Sequence, residues 1–178
     1  MRRFATSLCL AILAIAAAPA LRAQSSESQT AAANASCPPQ TTLDELIKAI
    51  DAAVSGPANK DRTCFRALFL PETRLIPLAR RPDGSYQPHV LTVDEWIAAV
   101  AKRGNDTITE KQIKVETQTY GHLAHLWSTY ETASASDKRT DRGINSIQAF
   151  FDGKQWKILE IVWQAESPTE KVPEKYLP

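Results

Sequence analysis

Phe150-Phe151-Asp152-Gly153-Lys154-Gln155-Trp156-Lys157-Ile158 is the stretch on which the fold turns. Two β-rich runs meet at Asp152-Gly153, a dipeptide whose backbone freedom suits the tight turn of a two-residue hairpin. The run before it includes Arg142-Gly143-Ile144-Asn145-Ser146-Ile147-Gln148, and the run after it ends Ile161-Val162-Trp163-Gln164. Upstream, Thr107 to Tyr120 and His122 to Ala133 are two more long runs of strand character. From Thr107 onward the chain therefore predicts a four-strand antiparallel meander.

The part of the domain before Thr107 carries the helices. Thr42-Leu43-Asp44-Glu45 is a capping box, and Leu43, Leu46, Ile47, Ile50 and Val54 recur at helical spacing until Gly56-Pro57. A shorter helix is predicted from Asp61 to Leu70, ending before Pro71, with Phe65, Leu68 and Phe69 buried. Arg74 to Arg81 and Tyr86 to Leu91 read as extended pieces around the turn Pro82-Asp83-Gly84, and Pro77 and Pro88 push them toward a sheet edge or an irregular pairing. A second capping box, Thr92-Val93-Asp94-Glu95, opens a third helix that stops at Gly104. Three helices followed by a meander make an α+β architecture.

The hairpin segment from Arg142 to Gln164 resembles the closing hairpin of the nuclear transport factor 2-like (SnoaL-like) superfamily. Tyr120-Gly121-His122-Leu123-Ala124-His125-Leu126-Trp127-Ser128-Thr129-Tyr130-Glu131 is similar to the preceding strand in that superfamily's small, often exported bacterial members of unassigned function. The resemblance spans residues 42 to 165. It implies a strongly curved antiparallel sheet wrapped around three helices as a cone with an apolar cavity. Enzymes of that superfamily, including ketosteroid isomerases, scytalone dehydratases and polyketide cyclases, carry acids and bases inside the cone, and no such set maps onto this chain residue by residue. A fold hosting many activities specifies none of them.

Residues 1 to 23 read as a removable signal peptide: Arg2 and Arg3, an uncharged apolar run from Leu8 to Ala18, then small-residue cleavage sites after Ala20 or, preferably, Ala23. The apolar run is about half the roughly 20 residues a membrane-spanning helix needs. The expected address is periplasmic or extracellular. Residues 24 to 40, rich in Ser, Gln, Ala and Pro, read as a flexible arm, residues 41 to 165 as one domain, and residues 166 to 178 as an extended tail in which Tyr176 and Leu177 pack back. Losing Arg2, Arg3 and Arg22 takes the 21 basic residues to 18 against 20 acidic ones. That balance argues against nucleic acid or a membrane surface as partner. Two cysteines then remain, Cys37 and Cys64; export allows a disulfide between them, and a buried Cys64 beside a free Cys37 is the alternative.

Candidate chemistry rests on strand parity. One face of the strand from His122 carries Leu123, His125, Trp127, Thr129 and Glu131, the other His122, Ala124, Leu126, Ser128 and Tyr130, and both mix polar with apolar groups. Since a histidine exchanges protons near neutral pH, His125 is the leading catalytic candidate, with Glu160 or Tyr130 as acidic or phenolic partner; a histidine bonded to a neighbouring strand is the plainer reading. Asn145 and Gln148 fall on opposite faces, so at most one enters the cone. Trp156 and Ile158 share a face with Glu160; Leu159, Ile161 and Trp163 share the other. Trp127, Asn145, Gln148 and Trp163 are the candidate ligand-binding residues. His89, His122 and His125 have no metal-ligand spacing, and the chain has neither a Gly-rich phosphate loop nor a Gly-x-Ser-x-Gly elbow, so neither a metal nor a cofactor is expected. The reading ranked first is a binding module for a small apolar or amphipathic molecule, also homodimerising through its sheet. The alternative is an isomerase, dehydratase or cyclase using His125.

Overall fold

A computed structural model describes residues 37–136 and 138–178. The signal peptide and most of the predicted arm lie outside these residues. The elements in chain order are α1 (Leu43–Val54), β1 (Gly56–Pro57), α2 (Thr63–Arg66), β2 (Phe69–Arg80), β3 (Tyr86–Pro88), β4 (Leu91–Thr92), α3 (Val93–Ala101), β5 (Thr107–Tyr120), β6 (Leu123–Ser134), β7 (Thr140–Phe151), β8 (Trp156–Ala165) and a 3-10 turn (Glu174–Tyr176). The strands form one curved, unclosed sheet in the order β1-β5-β6-β7-β8-β2-β3, with β4 also on β2. The meander β5 to β8 is antiparallel, and β2 adds to β8 in parallel.

Both capping boxes form. Thr42 and Thr92 accept from the backbone N–H of Glu45 and Glu95, whose carboxylates reach back to the cap N–H groups. Helix α1 buries Leu46, Ala49, Ile50, Ala53 and Val54 against a sheet face of Ala124, Leu126, Ile147, Ala149 and Ile158. The predicted Asp61–Leu70 helix is cut to Thr63–Arg66 because the chain is already extended at Phe69, where it pairs with Ile158, and Leu68 accepts from the Ile158 N–H at 2.8 Å. Sheet pairing there outweighs the helical pattern of Phe65, Leu68 and Phe69.

The Asp152-Gly153 hairpin has a four-residue loop rather than two: Phe151 pairs with Trp156, and Asp152 Oδ1 accepts from the N–H groups of Lys154 and Gln155 at 2.8 Å each. The carboxylate closes the wider turn, with Gly153 at φ 96°. A disulfide joins Cys37 to Cys64, and the buried Gln40 accepts from the Trp156 N–H at 2.7 Å, so the last residues of the predicted arm are docked on the domain. At the other end, the tail crosses the outer sheet face, where Thr129 Oγ1 donates to the Tyr176 carbonyl at 2.6 Å and Lys114 Nζ to the carbonyls of Lys175 and Leu177 at 2.8 Å.

Candidate functional site

The concave face of the sheet and the three helices enclose a cavity of about 540 Å³. Its base is apolar, with Ile50, Val54, Phe65, Leu68, Phe69, Leu75, Trp96, Ile161 and Trp163 among its lining. Phe65 fixes one wall by stacking on Trp96, with ring centroids 4.3 Å apart and planes 17° from parallel. Toward the open end the lining becomes polar, and Glu110, Tyr130, Thr132, Asn145, Asp106, Asp141, Arg103 and Arg139 gather there.

Strand register decides which side chains reach this space. Ala124, Leu126, Ser128 and Tyr130 are buried on the inner face of β6, which puts His125 and Trp127 on the outer face by alternation. On β5, Gln112 pairs with Tyr130 and Lys114 with Thr129, so a bulge at Ile113 absorbs one residue. That bulge lets Ile108, Glu110 and Gln112 share the inner face with Val115, seven residues beyond Ile108. A second irregularity, between Gln148 and Ala149 opposite Glu160 and Ile158, turns Ile158, Ile161 and Trp163 inward and Glu160 outward.

A connected polar network lies across this inner face. Gln112 Nε2 donates to Glu110 Oε1 at 3.1 Å, and Gln112 Oε1 accepts from Ser128 Oγ and, at 3.2 Å, from Asn145 Nδ2. The backbone N–H of Gln112 donates to Asp51 Oδ1 of α1 at 3.0 Å. Burial, reinforced by the nearby Asp51 carboxylate, pushes the Glu110 carboxyl up to about 7. Burial likewise raises Asp51, and it raises the Tyr130 phenol, which also lies near Glu110. Tyr130 is 6% exposed, lines the cavity, and its hydroxyl has no hydrogen-bond partner among the described residues. Gly143, paired opposite it, makes room for the ring: a Cβ there would sit 2.5 Å from the phenolic oxygen. At the mouth, Ser134 Oγ contacts both Asp106 carboxylate oxygens at 3.2 and 3.3 Å, and Arg139 Nε donates to Asp141 Oδ2 at 2.7 Å.

The predicted site residues divide between the two faces. Tyr130, Asn145 and Trp163 line the cavity. His125, the leading candidate, does not: its Nε2 lies 3.0 Å from Ser146 Oγ on the outer face, paired across from Gln148. Gln148 is outside with it, and Glu160 forms an ion pair with Arg74 at 3.1 Å on that same side. Trp127 packs under the tail, its ring 5.8 Å from that of Tyr176. The proposed trio of His125, Glu160 and Tyr130 is thus split by the thickness of the sheet. Expecting Trp156, Ile158 and Glu160 on one face and Leu159, Ile161 and Trp163 on the other also fails, because the bulge near Glu160 shifts the parity between Ile158 and Ile161.

Glu110 and Gln112 escaped the sequence reading. Their signal is the inward alternation Ile108-Glu110-Gln112 ending in an apolar Val115 of the opposite parity, which is how a bulge is written in a strand. Among the described residues no group of histidine, cysteine and carboxylate side chains has the geometry to hold a metal ion.

Solved structures with this chain path settle the architecture. One from Pseudomonas putida, an NTF2-like protein of unknown function, aligns at TM-score 0.54 and 14% identity over 84% of this chain and 98% of its own. The fold is that of the nuclear transport factor 2-like proteins. A cystatin-like-fold protein of unknown function from Nostoc punctiforme aligns at TM-score 0.51 and 14% identity, over 74% of this chain and 96% of its own. The proposed beta subunit of an aromatic-ring-hydroxylating dioxygenase from Novosphingobium aromaticivorans aligns at 0.54 and 13%, over 79% and 92%. At such identities the likeness carries the NTF2-like fold and no activity. No family model matches the sequence, and no curated protein does.

Proposed function

We propose that this NTF2-like chain binds a small molecule that is apolar along most of its length and polar at one end. The observation that carries this is the Tyr130 hydroxyl, buried and unpartnered among the described residues, at the boundary where the apolar base of a 540 Å³ cavity meets Glu110 and Asn145. A cavity of this size falls in the range of small-molecule sites, and a few polar groups above an apolar base are what such sites use to orient a ligand. Screening a hydrophobic compound set by thermal shift tests the reading: stabilisation by some members, abolished when Leu68→Trp fills the base, is the expected result. No stabilisation by any compound would count against it.

An enzymatic role is the second reading, favoured by one observation, the Glu110 carboxyl poised at about 7 beside a phenol. Glu110 then takes the place the sequence suggested for His125, as the group that removes a proton from a bound molecule. Deuterium from solvent entering a C–H position of a bound compound, and ceasing to enter with Glu110→Gln, is the expected signature; its absence for every binder would leave binding alone.

Export is proposed as well, supported by the Arg2-Arg3 and Leu8–Ala18 pattern and by the Cys37–Cys64 disulfide. The N-terminal residue of protein recovered from the periplasm or medium checks it, Gln24 being expected. A homodimer through the outer sheet is supported by exposed apolar side chains on its uncovered part, Tyr120, Leu123 and Phe150. A monomeric mass in light scattering would argue against it.

A further inference from the structure

We propose that the polar end of the ligand is a protonated amine, seated between the Glu110 carboxylate, the Tyr130 hydroxyl and the Asn145 carbonyl oxygen. This rests on the binding reading above and goes further by naming the chemical class.

The argument is a count of hydrogen-bonding capacity. The side-chain amide of Gln112 gives one N–H to Glu110 and accepts at its oxygen from Ser128 and Asn145, which leaves one N–H over. One N–H of Asn145 Nδ2 goes to Gln112 and the other is left over, while the Asn145 carbonyl oxygen and Glu110 Oε2 have no partner among the described residues. Glu110, Asn145 and Tyr130 line the cavity with two free acceptors and a hydroxyl that can give or take, and a donor on the ligand is what could use all three. Charge then selects among donors. Asp51 from α1 and Arg103 after α3 act on Glu110, and the cavity lining adds Asp106 before β5, Tyr130 on β6, and Asp141 on β7 with Arg139 already bonded to it. Acids outnumber the bases left over, and the innermost charge is a carboxylate. With Asp141 and Arg139 paired to each other, an incoming carboxylate would find Arg103 on the lining but also Glu110 and Asp106. An alcohol would satisfy the acceptors and leave the Glu110 charge desolvated. An ammonium supplies up to three donors and the compensating charge.

Because burial holds Glu110 near 7, a cation that needs its ionised form binds more tightly as pH rises through that value. The test is calorimetric titration of the full chain with three probes that share one naphthyl-ethyl body and end in an amine, an alcohol or a carboxylate. At pH 8 the amine should bind at least tenfold tighter than the alcohol, with the carboxylate weakest. At pH 5.5, and in Glu110→Gln at either pH, that advantage should fall below threefold. Tyr130→Phe, which keeps the ring, should weaken the amine severalfold and provides an independent reading if Glu110→Gln does not fold. Equal affinity for amine and alcohol, or preference for the carboxylate, overturns the amine assignment and leaves the binding reading intact. So does failure of all three probes while a compound from the hydrophobic set binds. If nothing in either set binds, both fall.

Discussion

Gln112 holds Glu110 from the side facing the core: its Nε2 donates to Glu110 Oε1 at 3.1 Å while its Oε1 is anchored by Ser128 and Asn145. A carboxyl that burial would otherwise leave unpaired is given one fixed donor, and its second oxygen is without a partner among the described residues. The pair therefore links the stability of the sheet to the chemistry of the site.

That link predicts a pH-dependent effect of Glu110→Gln. The carboxyl is raised from its ordinary 4.5 to about 7 in the folded chain, so its contribution to stability is fully present below 4.5 and is lost as pH rises through 7. The full difference corresponds to at most about 3 kcal/mol, and about 2 kcal/mol is expected because the group borders an open cavity. Urea unfolding should show the variant about 2 kcal/mol more stable than the parent at pH 8, with the gap closing at pH 4. A gap of the same size at both pH values would show that the effect is not ionisation.

Gln112→Leu removes the anchor itself. Glu110 Oε1, Ser128 Oγ and Asn145 Nδ2 each lose their partner in a buried setting, and leaving such groups unpaired costs about 1–3 kcal/mol apiece before relaxation. A net loss of about 3 kcal/mol is expected in urea unfolding. A loss below 1 kcal/mol would mean that water replaces the amide at no cost.

Gly143→Ala should be among the most damaging conservative changes. Its new Cβ would stand 2.3 Å from the Gln164 carbonyl oxygen, 2.5 Å from the Tyr130 hydroxyl and 2.7 Å from Tyr130 Cζ. Two or more kcal/mol of destabilisation is expected, as for other overpacked interiors. Adding Tyr130→Phe should not restore it, since the backbone oxygen and the ring carbon remain. Full recovery in the double variant would place the strain at the hydroxyl alone.

Much of this was legible in the sequence, for reasons the residues make plain. Thr42 and Thr92 each stand three positions before a glutamate at the start of an apolar periodic run, and both capping boxes formed. The meander follows from the long β-rich runs after Thr107 and the Asp152-Gly153 turn that splits the last of them. What alternation cannot supply is the parity of a strand whose two faces are both mixed. Ser128 and Tyr130 look no more interior than Trp127 and Thr129, and the face that carries His125 is the outer one. The two bulges, at Ile113 and beside Glu160, reset that parity in the strands that carry Glu110 and Trp163, which hid the first and misassigned the neighbours of the second. The tail adds a further reason: it makes Trp127 and Thr129 look interior by covering them from outside.

The disulfide gives a fourth prediction. Cys37 and Cys64 are 27 positions apart, and closing a loop of that length is worth about 3 kcal/mol in chain entropy. Cys64 precedes Phe65, which stacks on Trp96 in the cavity wall. Cys37→Ser with Cys64→Ser should lower stability by about that amount in urea unfolding and weaken ligand binding by a smaller factor through the loosened wall. Identical unfolding of the double variant and the parent under non-reducing conditions would show that the bridge contributes nothing.

The tail offers the sharpest separation of the two sheet faces. Tyr176 packs on Trp127, its carbonyl accepts from Thr129, and a groove of about 290 Å³ lined by Leu78, Trp127, Ile144, Val162, Val172 and Pro173 runs beneath the segment. Ending the chain after residue 167 should expose that apolar strip and shift tryptophan emission to the red. Self-association should follow, seen as a mass that rises with concentration in light scattering. Ligand affinity in the cone should change less than threefold, because Glu110, Tyr130 and Asn145 lie across the sheet and none of them bonds to the tail. If affinity falls tenfold while the fold persists by circular dichroism, the two faces are coupled, and β8 carries the coupling, since its Trp163 and Ala165 line both spaces.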